Sequence, residues 1–170
     1  MVGQADHGVA VELRPATQDD IPSLLSLIRA MAAFEKLAVS ATEESLRSSL
    51  FGGEPAARVL LACAGGKAVG YATYCFTFSS MTGKRTMWLD DVFVVPEFRG
   101  KGLGRRVMAN LARIAIEQQC GRFEWIVLDW NTRAIDFYQQ LGARVLEDWR
   151  VCRLDEDQLS RVAGETPCSS

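Results

Sequence analysis

Apolar positions change period along this chain. Residues 9–14 alternate, which predicts a first strand. Ile21, Leu24, Leu25, Ile28, Met31 and Ala32 then recur every three or four positions, predicting a helix to about Lys36. Thr17-Gln-Asp-Asp20 reads as its capping box, with Asp in the glutamate position, and Pro22 is tolerated in a first turn. A shorter helix is predicted from a Ser40-Ala-Thr-Glu43 cap to Phe51, where Gly52-Gly53 stops it. Apolar runs at 58–64 and 67–78, joined by Gly65-Gly66, predict an antiparallel hairpin. After a turn at 79–83, a third long strand runs over 85–95 and ends at Pro96. Val107, Met108, Leu111, Ile114 and Ala115 predict a helix over 103–119, terminated by Gly121. A buried strand at 123–128, a helix at 131–141 ended by Gly142, and final strands at 143–147 and 149–154 complete the pattern. The order β-α-α-β-β-β-α-β-α-β-β implies an α/β protein with a central mixed sheet flanked by helices.

The 170 residues suit one domain, expected over 10–164, with a flexible leader at 1–9 and a flexible tail at 165–170. With 48% hydrophobic and 24% charged residues the composition is globular. A net charge of −2 argues against nucleic-acid binding as the main task and is compatible with a cationic substrate. The five cysteines are odd in number and lack C-x-x-C spacing, and no signal peptide precedes them. Reduced thiols in a cytoplasmic protein are therefore expected. No apolar run is long enough for a membrane span, so no membrane association is expected. The single histidine, His7, falls in the leader, and no metal site is expected.

The chemistry concentrates in Glu97-Phe-Arg-Gly-Lys-Gly-Leu-Gly-Arg-Arg106. Glycines at alternate positions free successive N–H groups to approach a ligand. At a helix N-terminus they form an anion cradle, to which Arg99, Lys101, Arg105 and Arg106 add charge. A phosphate or pyrophosphate is the expected guest. The spacing G-x-G-x-G differs from the dinucleotide fingerprint, and the G-x-x-x-x-G-K-[ST] loop is absent.

Arg99-Gly-Lys-Gly-Leu-Gly104 resembles the acyl-CoA pyrophosphate loop of the GNAT N-acetyltransferase superfamily, and the resemblance extends over nearly the whole chain. Within it, "WLDDVFVVPEFRGKGLG" and "VLDWNTRAIDFYQQLGA" resemble the diamine acetyltransferases: spermidine/spermine, thialysine and plant ornithine enzymes. The resemblance implies the GNAT fold and direct acetyl transfer from acetyl-CoA to a primary amine, in a homodimer. It assigns the cofactor to the backbone of Phe93, Val94 and Val95, to the loop residues Arg99, Gly100, Lys101, Gly102, Leu103, Gly104 and Arg105, and to Asn131 and Tyr138. Asn131 reads equally well as a helix N-cap. Tyr138 matches the tyrosine that acts as general acid to the CoA sulfur; a tyrosine on a helix also suits a core. The resemblance further implies a bulge in the strand before the loop, which splays the strand and lets an N–H polarise the thioester carbonyl.

Asp90 and Asp91 interrupt an otherwise apolar strand, where a carboxylate would attract the amine and take or relay its proton. Regular strand geometry sends only one of them into a cleft, and a bulge relaxes this. The family commonly reads L-E-D here; Asp90 is one methylene shorter than glutamate, which favours relay through water over direct abstraction. Glu35, Glu147, Asp148 and Trp149 are further candidates for a cationic pocket, Trp149 through its ring face. Met81 stands where spermidine/spermine members carry a tryptophan, which disfavours long polyamines. The alternatives to a small-molecule amine acetyltransferase are acetylation of protein lysines or N-termini, and a non-catalytic acyl-CoA sensor.

Overall fold

A computed structural model of the protein describes residues 10–164. The expected leader, with His7, and the expected tail lie outside the described residues. The chain forms two compact units, one up to Ile126 and a second from Val127.

The first unit is built on a five-stranded sheet in sequential order: β1 (Val11–Pro15), β2 (Arg58–Ala64), β3 (Lys67–Ser79), β4 (Lys84–Val94) and β5 (Arg122–Trp125). The first three pairings are antiparallel, and β4 with β5 is parallel. The expected mixed sheet is therefore present. Its parallel pair needs a crossover, supplied by α3 (Leu103–Glu117). α3 buries Leu103, Val107, Met108, Leu111 and Ala115 at helical spacing.

Two further helices precede the hairpin: α1 (Ile21–Glu35) and α2 (Glu43–Phe51). Leu24 and Leu27 of α1 pack with Val59, Leu61, Cys63, Tyr71 and Phe93 of the sheet. Burial of such side chains stabilises by about 1.5–3 kcal/mol each. The expected capping box closes a 3-10 turn, Gln18–Asp20, that leads into α1 rather than α1 itself: Asp20 Oδ2 accepts the Thr17 N–H at 2.7 Å. The Arg14 guanidinium donates to both Asp20 oxygens at 2.7 Å, tying β1 to this turn. That bond holds the Asp20 carboxyl well below the usual carboxylate range.

Two irregularities shape the pairing of β3 with β4. The register shifts between Thr73 and Tyr74: Thr73 opposes Asp91 and Tyr74 opposes Leu89, so Asp90 is the extra residue of a β-bulge. At Gly70, opposite Val94, an added Cβ would lie 2.7 Å from the Phe93 carbonyl oxygen. Only glycine lets the strands lie this close.

Several elements depart from expectation. The α2 cap is Thr42, whose Oγ1 accepts the Ser45 N–H at 3.1 Å, rather than Ser40. α3 ends where Gln119 turns left-handed at φ 56°, and the Gly121 N–H is used on Arg85 O at 2.8 Å. The expected strand at 123–128 is four residues long and half-buried, because β4 leaves it after Leu89. In the second unit α4 (Thr132–Gln140) ends before Gly142, close to expectation. The strands expected at 143–147 and 149–154 are absent: these residues have no regular structure. Their alternation supplies side chains suited to a strand, but no described strand pairs with them. An unexpected helix follows, α5 (Glu156–Gly164), fully exposed.

Candidate active site

The bulge decides where the two aspartates go. In a regular strand Asp90 and Asp91 would point to opposite faces; the extra residue breaks that alternation, and Asp90 acts on Asp91 and on Tyr71 across the strand. Asp91, opposite Thr73, lies on the same face as Phe93, opposite Tyr71, and this is the face packed against α1. Asp90 is exposed and Asp91 half-buried. The Asp91 carboxyl is pushed up to about 6 by burial, and further by the neighbouring Asp90 charge and Glu35, against a hydrogen bond from Tyr71 that lowers it. Glu35, the last residue of α1, is half-buried, and burial pushes its carboxyl up. Asp91 thus feels both Asp90 and Glu35, and the Tyr71 phenol, driven upward first by burial, feels all three. Like charges so arranged call for a cation.

Beyond Leu89, β4 loses β5 and, among the described residues, keeps only β3 as strand partner. Val95 N–H bonds Val69 O at 3.0 Å, so alternation turns the Val94 amide away from β3. The Val94 carbonyl accepts from Arg99 Nε at 2.7 Å. The Arg99 guanidinium also lies over the Phe34 and Phe93 rings, 5.0 and 5.2 Å from their centroids. It braces the join between β4 and the loop by packing as well as by charge.

The loop that follows has left-handed glycines, Gly100 at φ 73° and Gly102 at φ 78°. Gly102 is the N-cap of α3 and offers no side-chain cap. The first bond of the helix is Arg106 N–H to Gly102 O at 3.1 Å. The N–H groups of Leu103, Gly104 and Arg105 therefore precede the ladder, at the positive end of a long helix. An added Cβ at Gly100 or Gly102 would meet nothing within 4 Å, so the conformation and not crowding asks for glycine. Lys101 Nζ stands 5.6 Å from the Phe98 ring centroid, and Arg105 is exposed. This donor set fits a pyrophosphate, the anion that acyl-CoA carries.

The first unit therefore brings together Glu35, Asp90, Asp91, Phe93, Val94, Val95 and residues 99–105. The second unit holds the other candidates. Asn131 Oδ1 accepts the Ala134 N–H at 3.3 Å and caps α4, leaving its side-chain NH2 as donor. Tyr138 is half-buried on α4, its ring 5.3 Å from that of Phe137. Glu147, Asp148 and Trp149 are exposed, Trp149 at 73%. Sequence reasoning missed Tyr71. Its signal, a tyrosine inside a buried apolar strand, acquires meaning only once the register puts it diagonally across from Asp91. Among the described residues no cluster of three or more His, Cys, Asp or Glu could hold a metal ion, and no helix is long and apolar enough to cross a membrane.

Residues 25–143 match the model of the acetyltransferase (GNAT) family. The chain is 37% identical to a thialysine N-epsilon-acetyltransferase of Sus scrofa, over 92% of this chain and 99% of that one. It is 29% identical to an L-ornithine N5-acetyltransferase of Arabidopsis thaliana, over 92% of this chain and 89% of that one. Among solved structures, an integron cassette protein from the mobile metagenome of V. cholerae superposes with a TM-score of 0.78 at 27% identity, covering 92% of this chain and 99% of that one. The chain belongs to the acetyltransferase (GNAT) family, in the branch of these thialysine and ornithine acetyltransferases, and is an amine N-acetyltransferase.

Proposed function

We propose that the protein transfers the acetyl group of acetyl-CoA directly to a primary amine of a small diamine or diamino acid, such as thialysine, ornithine or putrescine, in a ternary complex. One observation supports the substrate side: beside the bulge at Asp90, the Asp91 carboxyl feels both Asp90 and Glu35, the last residue of α1. A compact dication matches that trio. Met81, 89% exposed in the β3–β4 turn, gives a longer polyamine no flat ring to lie on.

Bound acetyl-CoA supplies a thioester carbonyl for the amine nitrogen to attack and a thiolate to leave. The Val94 N–H is assigned to the carbonyl oxygen as negative charge develops there. The N–H groups of residues 103–105, with Lys101 and Arg105, hold the pyrophosphate. A free alkyl ammonium has a pKa of about 10.4, so the amine arrives protonated. Asp91, ionised above about pH 6, pairs with it, and the ammonium gives up one proton through a water to the more exposed Asp90, which frees the nitrogen lone pair for attack and passes the proton on to solvent. Tyr138 is assigned on resemblance as the acid that protonates the leaving thiolate, with Asn131 on the cofactor, and Glu147 and Trp149 on the amine.

A cytoplasmic location and a homodimer belong to the same proposal. The free thiols Cys63, Cys75, Cys120 and Cys152 suit a reducing compartment. The exposed Val145, Leu146, Trp149, Val151 and Leu154 offer apolar surface to a second copy, which sedimentation would detect. The reading assigns no role to nucleic acid, membrane or metal.

CoA release from acetyl-CoA, followed with putrescine, ornithine, thialysine, spermidine, spermine and a lysine peptide, tests the proposal. The short diamines or diamino acids give the highest kcat/KM. Spermine in first place overturns the selectivity, turnover of the peptide alone points to protein acetylation, and acetyl-CoA binding without turnover points to a sensor.

A further inference from the structure

We infer that Tyr71 is a positioning residue for amine acetylation: its phenol grips one oxygen of Asp91 and leaves the other to the substrate's ammonium. The inference rests on the amine-site reading above.

Tyr71 is 0% exposed and sits in the sheet among the residues that pack against α1. Its ring leans toward Phe93, with centroids 6.5 Å apart. A phenylalanine would fill this place equally well, so the hydroxyl asks for a separate explanation. It has two acceptors, Met31 Sδ at 3.3 Å and Asp91 Oδ2 at 3.4 Å. A phenol has one proton to donate, and an ionised carboxylate is the stronger acceptor. Asp91 cannot donate in return while ionised, so the direction of the bond is fixed. Burial drives the phenol upward, and it stays a donor at every working pH.

The reach is diagonal. Tyr71 opposes Phe93, Thr73 opposes Asp91, and neighbours one step off the rung lie within reach of a long side chain. The groups that act on Asp91 are Asp90 from its own strand, Tyr71 from β3 and Glu35 from α1. Of these, Tyr71 alone favours the ionised form that an ammonium requires. The half-buried Cys75, also on β3, feels Asp90 rather than Asp91. Tyr71 thus holds Asp91 both in place and in charge state, without touching the substrate.

Two variants of the full chain test this, with the Asp91 carboxyl titrated by carbon NMR and its signal assigned through Asp91→Asn. In Tyr71→Phe the midpoint rises by about half a pH unit or more, since a bond to the charged form is lost. The acid limb of kcat/KM moves with it. KM for the amine rises roughly 3- to 10-fold, while acetyl-CoA affinity stays unchanged. Met31→Leu conserves volume and removes the rival acceptor, so the midpoint falls. Should Tyr71→Phe fail to fold, this second variant decides alone: a fall supports the inference and no fall overturns it. A midpoint unmoved in both variants, or lowered in Tyr71→Phe, overturns it. A wild-type protein that acetylates no amine defeats the amine-site reading instead, and the titration still reports whether Tyr71 grips Asp91.

Discussion

Asp91 is held where its charge is useful and where its charge is costly. Its carboxyl is pushed up to about 6 by burial and by Asp90. A group whose folded pKa exceeds its unfolded value of about 3.9 stabilises the fold when protonated, so stability falls as pH rises through 6. Asp91→Asn should therefore be more stable than wild type at pH 8, on the order of 1–2 kcal/mol, with the gain vanishing near pH 4. Denaturant melts at the two pH values check this. The same variant should raise KM for the amine and leave acetyl-CoA affinity nearly unchanged. At Tyr138, replacement by Phe should lower kcat far more than acetyl-CoA affinity; a general acid contributes about 10²–10⁴-fold. Near-wild-type kcat would return Tyr138 to a packing role.

Among the elements, the loop and the first turn of α3 carry the cofactor claim. Gly102→Val sets a β-branched residue at φ 78° and fills the cradle, so calorimetry should show acetyl-CoA affinity lost by tenfold or more, on the order of 1–2 kcal/mol. Unchanged affinity would remove the loop from the cofactor site. The periodic elements were legible because their signals are local. Gly65-Gly66 between apolar runs marks β2 and β3, and Val107, Met108 and Leu111 mark α3. Other features depend on partners distant in sequence. The resemblance led to expecting a bulge before the loop, but its place at Asp90 requires the register of β3 against β4. The alternation at 143–154 looked strand-like because alternation names a surface, not a neighbour to pair with. α5 did carry a local signal that went unread: Asp155 N–H donates to Gln158 Oε1 at 3.1 Å, half of a capping box.

At the scale of the whole molecule, two aspartates pull the pH dependence of stability in opposite directions. Asp20 is held down by Arg14, so its contribution is present above about pH 4 and is lost as pH falls below that. Asp91 and Glu35 are pushed up, and their penalty appears as pH rises. These two aspartates together place the stability maximum at about pH 4, with thermal stability declining from there to about pH 6. If the amine pairs with ionised Asp91, as proposed, kcat/KM should rise across the same interval in which the melting temperature declines. Parallel scans of both would test this; coincident optima would separate Asp91 from the amine.

Gly70 carries no charge, touches no proposed ligand and lies outside the loop, yet it sets the gap between β3 and the far end of β4. A methyl group there would act as a wedge, driven against the Phe93 carbonyl and the Val94 backbone. The amide assigned to the thioester would swing while every acidic and basic side chain stayed as it was. Gly70→Ala is in that sense a dial on alignment alone. If catalysis depends on where the Val94 N–H points, kcat should drop with the affinities for both substrates largely kept.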